Sequence, residues 1–201
     1  MSAIAVLVKD EVIRLEVIKA ARDLFQRYGL LKTTMEDIAK AVGKGKSTLY
    51  YYYKSKDEIF EAILQEDMDE VFQAVKRAVE KEVTAEGKLK TFTLTRLKFL
   101  DQKVNLFSII VGEMADNPKL IKKNKKDYEF KEGELLRSIL MFGITNGEFK
   151  SIGEDDLDSI VYVMLCAMRG VERGLLEDNK IKKLGDRLEF ILDILVNGIK
   201  H

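Results

Sequence analysis

Residues 41–56, AVGKGKSTLYYYYKSK, combine two patterns that point to different chemistry. The tripeptide Gly45-Lys46-Ser47 matches the end of a phosphate-binding loop, in which backbone N–H groups and a lysine hold a nucleotide. Four consecutive tyrosines follow it, and residues 40–56 contain five lysines and no acidic residue. A basic segment of this kind, with aromatic side chains on a short helix, is typical of a surface that lies against DNA.

The surroundings of the tripeptide exclude the phosphate-binding loop. That motif requires a glycine five residues before Gly45, where this chain has Lys40. The loop should also follow a buried β-strand, whereas the preceding MEDIAKAV has the spacing of a helix. The match to a nucleotide-binding motif is therefore accidental.

The chain offers few side chains for catalysis. Its only histidine is His201, the last residue, and its only cysteine is Cys166, for which the apolar run IVYVMLCAM predicts a buried, inert thiol. No Ser–His–Asp set, Cys–His pair or histidine-rich zinc site can be assembled from these residues. We therefore expect that the protein is not an enzyme and has no metal or cofactor, although chemistry by Asp and Glu side chains alone stays open in the residue inventory.

The composition predicts an all-α protein. Hydrophobic residues make up 46% of the chain, charged residues 34%, and there is one proline in 201 residues. The net charge is zero, but residues 1–60 carry 11 Lys/Arg against 8 Asp/Glu, so the basic charge is local. The alternative that the lysines are only solvated surface stays open. The chain shows neither a signal-peptide pattern nor an apolar run of ~18 residues, so we expect a cytoplasmic protein.

Apolar spacing and cap residues predict about nine helices. Thr34 caps the second helix, with Asp37 in the position of a capping box, and Gly43 ends it. Ser55 caps the long fourth helix. The predicted spans are 10–28, 35–42, 46–52, 56–82, 85–102, 104–115, 119–146, 155–177 and 183–199.

The second and third predicted helices form a helix-turn-helix. Ile38, Ala39 and Leu49 face inward and fix the angle between the two helices. The polar and aromatic residues near the start of the third helix then face outward, where a recognition helix enters the major groove of DNA. These outward residues are Lys46, Ser47, Thr48, Tyr50 and Tyr51.

Residues 17–64, VIKAARDLFQRYGLLKTTMEDIAKAVGKGKSTLYYYYKSKDEIFEAIL, resemble the TetR family of bacterial transcriptional repressors. As in that family, the first helix ends in an aromatic residue and a glycine, and Thr-Thr follows. Ile-Ala then precedes a glycine turn. Thr-Leu-Tyr with further aromatic residues comes next, and Lys-x-Lys ends the pattern. Lys44 and Gly45 depart from the commoner Val-Ser. The resemblance implies a three-helix DNA-binding domain over residues 9–56, and a larger helical ligand-binding and dimerisation domain over 57–201.

The resemblance also implies roles in DNA binding. Thr33 and Thr34 would hold a phosphate at the start of the second helix, and Lys56 would hold another. Lys46 would reach a guanine edge or a phosphate, and Tyr51 would pack on a thymine methyl group. The full predicted set is Thr33, Thr34, Lys46, Ser47, Thr48, Tyr50, Tyr51 and Lys56.

Family members act as homodimers on palindromic operators, and a small, mostly apolar ligand releases them from DNA. The resemblance therefore implies a dimer interface on the last two helices and a ligand pocket on the helices before them, although both apolar sets would also suit ordinary core packing. The predicted interface residues are Met164, Met168, Val171, Leu188, Leu192 and Leu195. The predicted pocket residues are Phe107, Ile110, Met114 and Met141.

Two alternatives remain open in the sequence. One is a helical protein-interaction module that has lost DNA binding, which the intact KSTLYYYYKSK disfavours. The other is activation instead of repression, because the sign of regulation depends on where the operator lies relative to the promoter.

Overall fold

The computed structural model describes residues 3–102, 119–178 and 181–200, with side chains described over 10–99, 126–174 and 189–200. This part of the chain contains eight α-helices and no β-strand, which confirms the all-α prediction. The predicted helix over 104–115 lies outside the described residues. The helices are α1 Ala3–Tyr28, α2 Met35–Val42, α3 Lys46–Tyr52, α4 Lys56–Glu80, α5 Ala85–Gln102, α6 Lys119–Thr145, α7 Glu154–Asp178 and α8 Ile181–Ile199.

Helix α2 begins and ends at the predicted residues because both of its caps form. The Thr34 hydroxyl accepts a hydrogen bond from the Asp37 backbone N–H at 3.2 Å, and the Asp37 carboxylate accepts one from the Thr34 N–H at 2.9 Å. Gly43 ends the helix at φ 69°, a left-handed conformation that costs glycine nothing and other residues about 1 kcal/mol. The two caps leave a short turn before α3 starts at Lys46.

The chain divides into two units of dense internal contact. The first is formed by the described residues of Met1–Met68 and Ser108–Asn124, and the second by those of Asp69–Phe107 and Lys125–His201. The predicted boundary after residue 56 falls inside the first unit, because the first turns of α4 pack against α1. Phe60 of α4 meets the Phe25 ring edge-on, with 5.8 Å between ring centroids.

The core of the first unit fixes the helix-turn-helix on α1 and α4. Arg22 of α1 also donates hydrogen bonds to Asp67 at 2.5 Å and to Glu66 at 2.6 Å, so a forked ion pair joins α1 to α4. Burial of the apolar core residues supplies most of the stability of the first unit. The core residues are Ile13, Val17, Ala21, Phe25, Ile38, Ala39, Leu49, Ile59, Phe60, Ile63 and Leu64.

The second unit has a separate apolar core, to which the second half of α4 and helices α5 to α8 contribute. Its members are Val71, Val75, Val79, Ala85, Leu89, Phe92, Leu136, Ile139, Leu140, Phe149, Leu157, Val161, Leu165 and Val196. Near the end of α6, Gly143 accepts backbone hydrogen bonds from Glu148 and Phe149 at 2.9 and 3.0 Å. The turn brings the fully buried Phe149 ring against the bare Gly143 backbone.

Candidate DNA-binding surface and regulatory domain

Helix α3 presents one polar and aromatic face to solvent. Lys46, Ser47, Tyr50 and Tyr51 are exposed, and Tyr51 is the most open of its tyrosines at 69%. Leu49 is buried on the opposite side and anchors the helix to the core. Thr48 lies between the two faces and is half-buried. The structure therefore brings four of the eight predicted DNA contacts together on a face that a major groove can accept.

Exposed lysines surround this face. Lys40, Lys44 and Lys54 are exposed like Lys46, so positive charge lies on both sides of the α2–α3 turn. The Lys46 ammonium lies 3.7 Å from the Glu36 carboxylate, and both side chains are more than half exposed. An exposed pair of this kind contributes little energy, so Lys46 remains available to a phosphate or base edge.

Thr34 is exposed, but its polar groups already have a partner. Its hydroxyl donates to the Asp37 carboxylate at 2.6 Å, in addition to the two capping-box hydrogen bonds. Hydrogen bonds from the Thr34 hydroxyl and backbone N–H lower the pKa of Asp37. A phosphate held by Thr34 would compete with this ionised carboxylate.

Thr33 does not have the position that the family pattern implied. Its side chain is buried, with 2% of its surface exposed, and its hydroxyl donates to the Gly29 carbonyl at 2.8 Å. That hydrogen bond secures the residues that follow α1. The prediction that the Thr33 hydroxyl holds a phosphate is corrected, because the group points into the protein.

Lys56 is also engaged inside the protein. Its ammonium donates to the backbone carbonyls of Leu30, Leu31 and Thr33 at 2.8, 3.1 and 3.1 Å. Three acceptors match the three N–H donors of a lysine. The predicted phosphate clamp is therefore corrected to a side chain that holds the α1–α2 connection against the start of α4.

The second unit contains a buried cluster of ionisable groups. Arg96 of α5 donates to Glu132 of α6 at 2.8 Å and to Glu172 of α7 at 3.0 Å. Arg96 and Glu132 are 5% and 2% exposed. Burial raises the pKa of Glu132 to about 7, although the Arg96 charge acts in the opposite direction. Burial also raises the pKa of Glu172.

The predicted dimer residues divide between core and surface. Leu192 is buried within one chain, whereas Met164 and Met168 are half-buried and pack against the core of the second unit, so the place of these two in an interface stays a prediction. Val171 and Leu195 are exposed, at 36% and 62%. The side chain of Leu188 lies outside the described residues.

The apolar residues that face solvent on α7 and α8 share only Val171 and Leu195 with the predicted interface. The others were not predicted because each helix carries a second apolar face beside the core stripe. Cys166 lies on the α7 part of this surface and is exposed, which corrects the prediction of a buried thiol. We call this set the exposed apolar face: Tyr162, Val163, Val171, Phe190, Ile191, Ile194 and Leu195.

The predicted ligand pocket is largely outside the described structure. Phe107, Ile110 and Met114 fall among the residues that are not described, and Met141 is 37% exposed on α6. A surface groove of about 520 Å³ opens at the start of α7 in the second unit, and Met141 does not line it. Ile152, Ile160 and Met164 form part of its wall.

Other site chemistries find no support in the described part of the chain. No group of three or more His, Cys, Asp or Glu side chains there is placed to bind a metal ion. None of the described helices has the length and apolar character required to cross a bilayer.

The exposed face of α3, which follows a capped α2 and a glycine turn, defines a helix-turn-helix DNA-binding protein.

Comparison with known proteins agrees with this class. The sequence model for bacterial regulatory proteins of the tetR family matches residues 17–63. The fatty acid metabolism regulator protein of Bacillus subtilis is 27% identical over 189 residues, which cover 93% of this chain and 95% of the relative. The HTH-type transcriptional repressor KstR2 of Rhodococcus jostii is 27% identical over 141 residues, 69% of this chain and 68% of the relative.

Solved structures share the fold over nearly the whole chain. A transcriptional regulator from Cytophaga hutchinsonii superposes with a TM-score of 0.71 at 26% identity and covers 92% of this chain and 97% of that one. FadR from Bacillus subtilis, solved in complex with stearoyl-CoA, has a TM-score of 0.73 at 21% identity, with 92% and 98% covered. Residues 17–63 thus match the model of the tetR family of bacterial regulatory proteins, and the chain is a DNA-binding transcriptional regulator similar over most of its length to the relatives above.

Proposed function

We propose that the protein is a repressor that binds a palindromic operator as a homodimer and leaves it when a small, mostly apolar effector binds. The observation that carries the proposal is the exposed face of α3, where Lys46, Ser47, Tyr50 and Tyr51 stand clear of the core. A protein that binds chromosomal DNA in this way works in the cytoplasm.

The exposed residues of α3 have distinct roles in this proposal. Lys46 reaches a guanine edge or a phosphate, and Ser47 is small enough for the helix to approach the groove floor. Tyr50 and Tyr51 offer a hydroxyl and an aromatic face, which suit a phosphate oxygen and a thymine methyl group. Thr48 contributes through its half-exposed hydroxyl. Thr34 contacts a phosphate only if its capping hydrogen bonds to Asp37 break.

The homodimer follows from the geometry of DNA and from the exposed apolar face. Two recognition helices must reach half-sites about one helical turn, ~34 Å, or more apart, so two copies are needed. Exposed side chains such as Phe190 and Ile194 lie on α8, and Tyr162 and Val163 lie on the neighbouring α7. Closure of this face against a second copy would remove its apolar surface from water.

We propose a mostly apolar effector, and long-chain acyl-CoA is the first class to test. The nearly full-length similarity to a fatty acid metabolism regulator favours that class. The predicted contacts of the effector remain Phe107, Ile110, Met114 and Met141. An effector that binds one arrangement of the dimer better than the other shifts the population away from the DNA-binding form.

Fluorescence anisotropy tests the proposal directly. The labelled duplex is the DNA upstream of the protein's own gene, the competitor is a scrambled duplex, and both are titrated at several salt concentrations. We expect saturable binding that favours the upstream duplex, and its loss in the double variant Lys46→Ala/Tyr51→Ala. Stearoyl-CoA added to the complex should lower the anisotropy, whereas free coenzyme A should not.

Two outcomes contradict parts of the proposal. Absence of binding at low salt, on the upstream duplex and on a random-sequence library, would contradict DNA binding and favour the protein-interaction module. Specific binding that no acyl-CoA weakens would leave the DNA-binding role in place and contradict the acyl-CoA class.

A further inference from the structure

Tyr51, the most exposed tyrosine of α3, rests on a buried neighbour. The Tyr52 ring meets the Tyr51 ring edge-on, with 5.0 Å between centroids and 89° between planes. Tyr52 is only 8% exposed, whereas Tyr51 is 69% exposed. Edge-to-face pairs of this geometry are attractive and directional. The position of the exposed ring therefore depends on the position of the buried one.

Helix α1 holds Tyr52 at two points. The Tyr52 hydroxyl donates to the Asp10 carboxylate at 2.8 Å, a charge-assisted hydrogen bond that raises the pKa of Tyr52. The Arg14 guanidinium lies 5.7 Å from the Tyr52 ring centroid and 5.2 Å from that of Tyr53. Asp10 and Arg14 are four residues apart, so one face of α1 supplies both contacts.

These contacts add directional restraints to a ring that is already buried. A tyrosine on a helix surface rotates about two side-chain bonds, and ordering it on DNA costs about 0.5–1.5 kcal/mol. Tyr52 is fixed by its hydroxyl and by its ring face, and its ring edge then limits the rotation of Tyr51. Tyr51 is thus ordered before DNA arrives, and the entropic cost of binding falls.

We propose that Asp10 and Tyr52 are positioning residues for base recognition: the Tyr52–Asp10 hydrogen bond sets the orientation of Tyr51 against the operator. The inference rests on the proposed function, because Tyr51 must contact DNA. Neither Asp10 nor Tyr52 needs to touch DNA. Loss of their hydrogen bond should alter discrimination between sequences and leave the phosphate contacts intact.

A double-mutant cycle separates this role from a general contribution to stability. The probe is the duplex that the wild-type protein selects from a random-sequence library, compared with the same duplex scrambled. We expect Tyr52→Phe and Asp10→Asn each to reduce the preference for the selected duplex by about 25-fold, which is about fivefold in each half-site, the value of one hydrogen bond of about 1 kcal/mol per copy. The salt dependence of binding should not change. In a Tyr51→Ala background the same two changes should have no further effect.

Tyr53→Phe is the matched control. It removes a hydroxyl from a buried tyrosine that also faces Arg14, and its ring has no edge contact with Tyr51 among the aromatic pairs described. We expect it to retain the full preference. Thermal unfolding of every variant shows whether the fold is kept, and Asp10→Asn provides the test if Tyr52→Phe unfolds.

The results that would overturn the proposal are specific. An equal loss in the presence and absence of Tyr51, or an unchanged preference in both Tyr52→Phe and Asp10→Asn, rejects the positioning role. A wild-type protein that selects no sequence rejects the proposed function itself, before any variant is considered.

Discussion

At the residue scale, Lys56 shows how a charged side chain can serve a DNA-binding surface without touching DNA. Its three backbone acceptors belong to the connection between α1 and α2, immediately before the cap residue Thr34. A hydrogen bond to a charged group contributes about 1.5–3 kcal/mol, more than a neutral one. The residue therefore acts on recognition through the placement of α2.

The first prediction compares Lys56→Met with Lys46→Met. We expect Lys56→Met to lower the free energy of unfolding by about 2 kcal/mol, because the carbonyls lose a charged donor. Its log–log slope of affinity against salt should match the wild type. Lys46→Met should leave stability unchanged and flatten the slope by about 1.8, the effect of one phosphate contact in each of the two copies on the duplex. Urea unfolding and anisotropy measure the two quantities, and a flattened slope in Lys56→Met would restore its assignment as a phosphate contact.

The sequence predicts the recognition residues better than the residues that support them. Tyr50 and Tyr51 are exposed where the helical spacing placed them, because Leu49 fixes which face is buried. Thr33 and Lys56 were assigned to phosphates through the family resemblance, whereas in the structure both side chains donate to backbone carbonyls. Because every residue has a backbone carbonyl, the sequence does not show which carbonyl accepts a hydrogen bond from a given side chain. The acceptors are visible only once the connection between α1 and α2 has folded.

At the element scale, the accuracy of the predicted helix ends follows the strength of the local signals. Helices α2 and α3 match their predicted residues, since a capping box, a left-handed glycine and a tight turn define them. Helix α1 begins at Ala3 instead of Asp10. The preceding AIAVLVK is apolar at six consecutive positions, so no alternation of apolar and polar faces marked it as a helix.

Two glycines of α6 give opposite predictions for the same substitution. A Cβ on Gly143 would overlap the Phe149 ring and lie 2.8 Å from the Ala85 side chain, so Gly143→Ala should destabilise the protein by about 2 kcal/mol. A Cβ on Gly133 would make ordinary contacts of 3.8 and 3.9 Å with Leu165 and Val161. Gly133→Ala should stabilise by about 0.5–1 kcal/mol through helix propensity. Urea denaturation of both variants measures the difference, and a tolerated Gly143→Ala would show that Phe149 can move aside.

The ion cluster between α5, α6 and α7 predicts a pH-dependent stability. The pKa of Glu132 is about 7 in the folded protein and 4.5 ordinarily, so the folded state retains a proton that the unfolded state releases. Its contribution to stability is complete below pH 4.5 and is lost as the pH rises through 7, a change of about 3 kcal/mol.

Unfolding by urea at pH 5 and pH 7.5 tests this contribution. The difference in unfolding free energy between the two pH values should be about 2 kcal/mol smaller in the proton-independent variant Glu132→Gln than in the wild type, because this interval spans most of the change. The glutamine side chain of this variant retains an oxygen that can accept from Arg96. The same pH dependence in both proteins would mean that Glu132 remains ionised when buried.

At the scale of the whole molecule, the last two helices show what a single sequence cannot distinguish. Both a monomer core and a dimer interface require apolar stripes at helical spacing. Leu192 was predicted for the interface and is buried within one chain, whereas Tyr162 and Phe190 were not predicted and are exposed. Burial depends on neighbouring helices that are distant in sequence, so periodicity identifies the apolar stripes but does not show which one remains exposed.

The exposed apolar face makes a prediction about assembly that is independent of DNA. Ile194→Asp places a carboxylate within this face on each copy. Because a two-fold interface uses the same face of both copies, dimer formation would bury two carboxylates. Burial of an unpaired carboxylate costs several kcal/mol, so we expect the dimer to dissociate at micromolar concentration. Light scattering should then give the 23.0 kDa of one chain, against twice that mass for the wild type.

Val83→Asp is the matched control, because Val83 is 84% exposed in the connection between α4 and α5 and lies outside the exposed apolar face. It should remain a dimer and bind DNA as the wild type does. The monomeric Ile194→Asp protein should lose most of its affinity for a duplex with two half-sites, because each recognition helix must then bind alone. It should bind a single half-site about as well as the wild-type protein does. If Ile194→Asp stays dimeric, the contact between copies lies on another surface, and the two recognition helices are brought together by a different part of the chain.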